Sequence, residues 1–291
     1  MGQFDDLNKK FGNIPKKEIV EDKTAQIEGV NNYDELKMYF GEDYWVTDKI
    51  CIHQPTIGDI VTFGDTRFYT IVNTLCANTT SFRLQLWKVG VDWNKISDYE
   101  LFCILIQTLT PKDTSLLFGD LNLSWFKLLH DTEKDCDLLA YIPLDENNEP
   151  LPFSYQDAIT IDEFVYTRMA KYLRRMFNIY PKVEFAKNKA TKEAMIWEDE
   201  ENLKIQEQKN KNKEVEKSFL LPLISSMVNH PGFKYKTNEL REIGIVQFMD
   251  SVKRLQVYES TTALLKGMYS GFIDGSQIKQ ENLNWLRDLD E

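Results

Sequence analysis

The chain's three histidines and four cysteines have the widest chemical repertoire, and their spacing favours no reaction. His53, His130 and His230 lie far apart, in no HExxH or HxH arrangement. No Gly-x-Ser-x-Gly elbow is present to offer a serine to one of them. Structural or surface roles are expected for all three. His230 precedes Pro231-Gly232, where a partly positive imidazole suits the C-terminal end of a helix. Cys51 and His53 lie two apart, but no second pair matches them, so no zinc site is expected. Together with Cys76, Cys103 and Cys136, Cys51 is expected to be an unpaired thiol in a reducing compartment.

The carboxylate pairs Asp59/Asp65, Asp92/Asp98 and Asp135/Asp137 could serve as acid–base or metal sites. Asp also closes turns and caps helices by accepting local backbone N–H groups, and that reading is preferred. The glycines at 58, 64, 267, 271 and 275 form neither GxGxxG nor GxxxxGK[ST], so no phosphate cradle is expected. Gly267 and Gly271, four apart, suit close helix packing or helix termination. An enzyme would have to gather Asp59, His53 or Asp92 in one pocket. The expectation is therefore a non-enzyme with no catalytic, cofactor-binding or metal-binding residues.

The elements that would position these groups follow from periodicity and caps. A short helix is expected near 33–40, ending at Gly41, after an extended stretch around Pro15. A short strand over 49–53 stops at Pro55, and Thr56 can start a helix that Gly58 and Gly64 weaken. Phe68, Ile71, Val72 and Leu75 share a helical face. Thr79 or Thr80 could cap a further helix through Phe82, Leu84, Leu86 and Trp87, ended by Gly90. Ser97 and Glu100 form a capping box before an apolar run at 101–109, ended by Pro111. Residues 116–118 and 121–129 suit strands, and 138–142 can pair with 125–129 as a hairpin. A loop is expected over 143–152.

A second capping box over 160–163 should open a helix. It would have Phe164, Met169, Tyr172, Leu173 and Met176 inward and Arg168, Lys171, Arg174 and Arg175 outward. Such a basic stripe fits pairing with carboxylates of the chain or a partner. Beyond the charged run at 187–217, helices are expected over 215–229, 237–267 and 276–289, with Thr237 and Ser276 as caps.

With 291 residues, 42% of them apolar and 12% aromatic, the chain can hold one large or two ordinary domains with a real core. A net charge of −11 argues against a nucleic-acid partner, because phosphate contacts need clustered Lys and Arg. The first residues contain no apolar leader, and Asp6 stands where an N-myristoylation signal needs Ser or Thr. No run approaches ~18 uninterrupted apolar residues, so no membrane partner is expected.

The segment His53-Gln54-Pro55-Thr56-Ile57-Gly58-Asp59-Ile60, then Phe68-Tyr69 and the run GVDWNKISDYELF at 90–102, resemble a family found in tail-gene modules of phages and prophages of Gram-positive bacteria. The pattern NHPGFKYKTNELREIG, FMDSVKRL and LLKGMYSGFID is similar to the same set. The resemblance covers 45–130 and 218–291. It implies a part in building the tail or baseplate, as a chaperone or a minor virion component, and carries no catalytic residues.

The resulting expectation is an α+β protein. It comprises a polar segment at 1–45, a mixed domain at 46–186 with a small hairpin or sheet, a charged connector or solvated helix at 187–217, and a helical unit at 218–291. It would bind other phage tail or baseplate proteins, with oligomers possible, in the host cytoplasm or the virion. The candidate contact residues are Trp197, Phe248, Tyr258, Tyr269, Phe272 and Trp285, which could equally fill the core. The alternative is a phage-encoded regulatory or host-interaction protein. A charge at Leu265 or Phe272 should unfold the C-terminal unit or abolish partner binding.

Overall fold

Side chains that accept unpaired amides set several helix starts in the computed structural model, which describes residues 18–19, 33–110, 112–131, 136–142, 158–211 and 217–289. In chain order the elements are β1 (Glu18–Ile19), α1 (Glu35–Tyr39), β2 (Tyr44–Trp45), β3 (Cys51–Ile52), α2 (Ile57–Phe63), α3 (Asp65–Cys76), α4 (Arg83–Lys88), α5 (Asp98–Leu105), α6 (Ser115–Phe118), β4 (Phe126–Asp131), β5 (Cys136–Tyr141), β6 (Thr160–Ile161), α7 (Glu163–Phe177), β7 (Glu184–Phe185), α8 (Lys189–Lys211), α9 (Leu220–Val228) and α10 (Ile245–Tyr269). The class is α+β. Ser97 and Glu100 form the expected reciprocal box at α5, and Thr56 with Asp59 forms another at α2. The Asp34 carboxylate caps α1.

The sheets are small. β4, β5 and β6 are antiparallel in that order, with Phe126 opposite Tyr141 and Leu129 opposite Leu138. The 125–129/138–142 hairpin therefore forms as expected. Its turn at 132–135, Pro15, Pro111 and the whole 143–152 loop lie outside the described residues. β2 pairs with β3, and β1 with β7.

One buried cluster joins Ile50, Ile60, Phe68, Leu75, Phe126 and Tyr172 to Leu220, Leu240, Ile245 and Phe248. It takes in residues of both 46–186 and 218–291. A backbone seam lies above it: the Ile57 amide donates to the Ile243 carbonyl at 2.9 Å, and the Ile245 amide donates to the Pro55 carbonyl at 3.0 Å. Gly58 makes room for it, because a Cβ there would meet the Arg241 carbonyl oxygen at 2.7 Å. A second cluster of Leu84, Leu86, Trp93, Leu101, Met195 and Ile196 holds α8. Of the charged run, 189–211 is thus a helix with one apolar anchor point.

Several local expectations are corrected. Residues 116–118 belong to α6, a single turn closed on the Thr114 carbonyl and ended by Gly119 at φ +58°. A three-residue apolar run cannot distinguish strand from helix. Residues 123–125 form a 3-10 turn, and the strand starts at Phe126. Thr160 does not cap α7, because it pairs with Ala140; Asp162 takes the role, accepting from the Val165 amide at 2.8 Å. Neither Thr79 nor Thr80 caps α4, whose N-cap is Phe82.

Phe164 points outward, onto a cleft of about 950 Å³ shared with Ile104 and Leu128. Arg174 points inward, where its guanidinium donates to the Cys76 and Ala77 carbonyls at 2.9 and 3.0 Å. Those carbonyls end α3 and need a donor. Residues 276–289 contain 3-10 turns, not an α-helix, with Asp274 accepting from the Ser276 amide. Thr237 precedes another 3-10 turn, and α10 begins at Ile245 after Gly244 as N-cap.

Candidate functional site

The C-terminal aromatic residues gather along α10. The helix ends at Ser270, and Gly271 at φ +74° turns the chain, so that the amides of Phe272 and Ile273 both return to the Gly267 carbonyl at 3.0 and 3.2 Å. Ile273 then covers Gly267, where a Cβ would come within 2.4 Å of its Cδ1. This closure throws Tyr269 and Phe272 outward, 87% and 90% exposed. These two exposed aromatic rings at the end of α10 are apolar surface that the fold itself does not use.

The chain after residue 273 folds back along α10. Arg254 donates to the Trp285 and Arg287 carbonyls at 3.2 and 2.7 Å, and Thr261 donates to the Asn282 carbonyl at 3.1 Å. Trp285 therefore meets Tyr258 edge to face, with centroids 5.8 Å apart. Together with Tyr39, Phe233, Tyr235, Asp250 and Arg254 they line a cleft of about 510 Å³. Burial and the Asp250 carboxylate raise the Tyr39 phenol, which stays neutral at physiological pH.

Of the six expected contact residues, Tyr258 and Trp285 line the cleft, and Tyr269 and Phe272 are exposed at the end of α10. Phe248 does neither: it is fully buried in the main core, because it faces inward near the start of α10 beside Ile245 and Val252. Trp197 is half-buried on α8, away from α10 in sequence. Tyr39, Phe233 and Tyr235 were not singled out. Only the tripeptide Phe233-Lys234-Tyr235 after His-Pro-Gly hints at Phe233 and Tyr235, whose rings lie 5.5 Å apart.

The residues with catalytic potential are engaged in separate contacts. Asp59 accepts the Thr56 amide and hydroxyl, Asp92 pairs with Lys192, and Asp98 accepts the Thr79 amide. Asp65 accepts the Ser218 hydroxyl and the Leu220 amide. Asp137 meets His130 across the hairpin at 2.9 Å, and Asp135 lies outside the described residues. His230 accepts the Gly232 amide through Nδ1 at 3.0 Å just beyond α9, and its Nε2 lies 3.4 Å from Glu259. Of the basic stripe, Arg168 donates to the Tyr44 hydroxyl, and Arg175 pairs with Glu35 at 3.3 Å.

His53 is the exception. Its Nδ1 lies 2.9 Å from the Asp43 carboxylate, and donor atoms of Asp43, Cys51 and His53 all fall within 4.8 Å of one another. Burial, then the Asp43 carboxylate, pushes the Cys51 thiol up to about 11. Pairing Cys51 with His53 alone overlooked Asp43, which precedes the opposite strand.

Among the described residues no helix is long and apolar enough to cross a membrane. Searches of curated proteins and of solved structures found no match. The family model described as YomV second domain matches residues 209–290, the stretch that carries α9, α10 and the exposed aromatic residues. YomV is associated with Bacillus prophages, so the C-terminal part of this chain is similar to a domain of a phage-associated protein, which points to a phage protein.

Proposed function

We propose that this protein is a phage tail or baseplate assembly factor, or a minor virion component, that works by binding other proteins of the particle and catalyses no reaction. The supporting observation is the exposed Tyr269 and Phe272 at the end of α10 together with the Tyr258–Trp285 cleft, all within the phage-associated stretch. Aromatic rings supply much contact area for little lost side-chain freedom, which suits an interface anchor. With a net charge of −11 the partner is a protein and not a nucleic acid, and the work is done in the host cytoplasm during assembly.

The test is co-expression with the neighbouring tail genes, followed by purification of this chain and its F272E variant. A tail or baseplate protein that co-purifies with the wild type and is lost with the variant supports the reading. No co-purifying tail protein, with the wild type folded, overturns it in favour of a regulatory or host-interaction role.

A further inference from the structure

We propose that Asp43, Cys51 and His53 form a site for a divalent late-transition-metal cation, zinc being the one their donors fit best. The proposal stands apart from the exposed aromatic residues and does not depend on them. The site is built by strand register. Tyr44 pairs with Ile52 and Trp45 with Cys51, so Asp43, one residue before β2, stands opposite His53, one residue after β3. Alternation along β3 puts Cys51 and His53 on the same face. A thiol that a bound cation would deprotonate, an imidazole and a carboxylate thus converge from two paired strands, a mixed soft and borderline donor set suited to zinc.

The geometry is close to what the ion needs. Tetrahedral zinc with ordinary bond lengths holds its donors about 3.3–3.7 Å apart. Here the donors lie within 4.8 Å of one another and the His53–Asp43 pair at 2.9 Å, so rotamer adjustments of these half-buried or exposed side chains suffice. The frame is held firmly. The His53 amide donates to the Leu117 carbonyl at 2.8 Å, and the Val46 amide donates to the Ile50 carbonyl at 2.9 Å. Gly119 leaves space at the imidazole edge, where a Cβ would come within 3.2 Å of Nε2. Tyr172 stacks on Tyr44 at 4.3 Å, its buried hydroxyl without a hydrogen-bond partner among the described residues. Three protein donors leave the fourth position to water or to a donor from a bound partner.

The decisive experiment uses the full chain, stripped with a chelator and titrated with Co²⁺ and then Zn²⁺. One equivalent of Co²⁺ should give a thiolate-to-cobalt charge-transfer band that Zn²⁺ removes. Cys51→Ser should abolish the band, and Asp43→Asn and His53→Gln should each weaken Co²⁺ binding more than about tenfold. The last two keep the thiol, so they remain informative if Cys51→Ser folds poorly. A folded wild type with no band, a band that survives Cys51→Ser, or unchanged affinity in both Asp43→Asn and His53→Gln overturns the site and leaves a plain histidine–aspartate pair.

Discussion

Arg83 of α4 lays its guanidinium along the carboxylate of Asp199 on α8, with Nη2 donating to Oδ1 at 2.6 Å and Nε to Oδ2. Its remaining nitrogen, Nη1, donates to Glu184 of β7. The guanidinium is buried, so this bidentate pair links three elements where water cannot substitute. Asp199→Ala leaves a buried cation half-paired, and the expected loss is about 3–5 kcal/mol in chemical denaturation. Arg83→Met removes the charge and keeps much of the volume, so it should lose clearly less.

Tyr99 closes the sheet from the side. Its hydroxyl donates to the Ile161 carbonyl at 2.7 Å and accepts the Leu139 amide at 3.2 Å, bridging β6 and β5. Tyr99→Phe leaves both backbone groups buried and unpaired, with an expected loss of about 1–3 kcal/mol. Hydrogen exchange should show faster exchange at the Leu139 amide, while amides of α10 keep wild-type protection.

Acid should loosen the attachment of α9. Burial raises the Asp65 carboxyl, but hydrogen bonds from Ser218 and from the amides of Leu220, Phe219 and Thr66 outweigh it and hold the group below its ordinary value of 3.8. Asp113 is lowered in the same way by Thr110 and Arg67, against burial. Groups depressed in the folded state contribute stability above their unfolded value and lose it as pH falls through the folded one. Stability should therefore drop below about pH 4. Asp65→Asn should drop less than the wild type over the same range, read by denaturant midpoints at pH 6, 4 and 3.

Phe248 and Phe272 separate folding from binding. A charge at Phe248 is forced into the core and should unfold the protein at moderate temperature. Phe272→Glu adds charge to a side chain already 90% exposed, so stability should stay within about 0.5 kcal/mol. The sequence alone expected a charge at Phe272 to unfold the unit or abolish binding; the exposed ring leaves only binding to respond. Thermal melts of both variants check this directly.

What could be read from the sequence was local. The Ser97–Glu100 box and the 125–129/138–142 hairpin need only neighbours along the chain, and both formed. Arg174 misled because its inward turn depends on where the last carbonyls of α3 come to rest, nearly a hundred residues earlier in the chain. Thr160 lost its capping role to a strand partner, Ala140, that no local pattern announces. Asp43 joins Cys51 and His53 only through hairpin register. The helical spacing of Phe248 and Tyr258 told that α10 has faces, not which of them the body would cover.

The seam at Pro55, Ile57, Ile243 and Ile245 bears on chimaeras. The stretch similar to a phage-associated domain, 209–290, cannot be transplanted as a cassette without its upstream complement, because two of its backbone groups and the Leu240–Phe248 wedge are completed by residues 55–58. A recombinant that swaps this module between relatives must carry a glycine at the docking helix, or the graft will not seat.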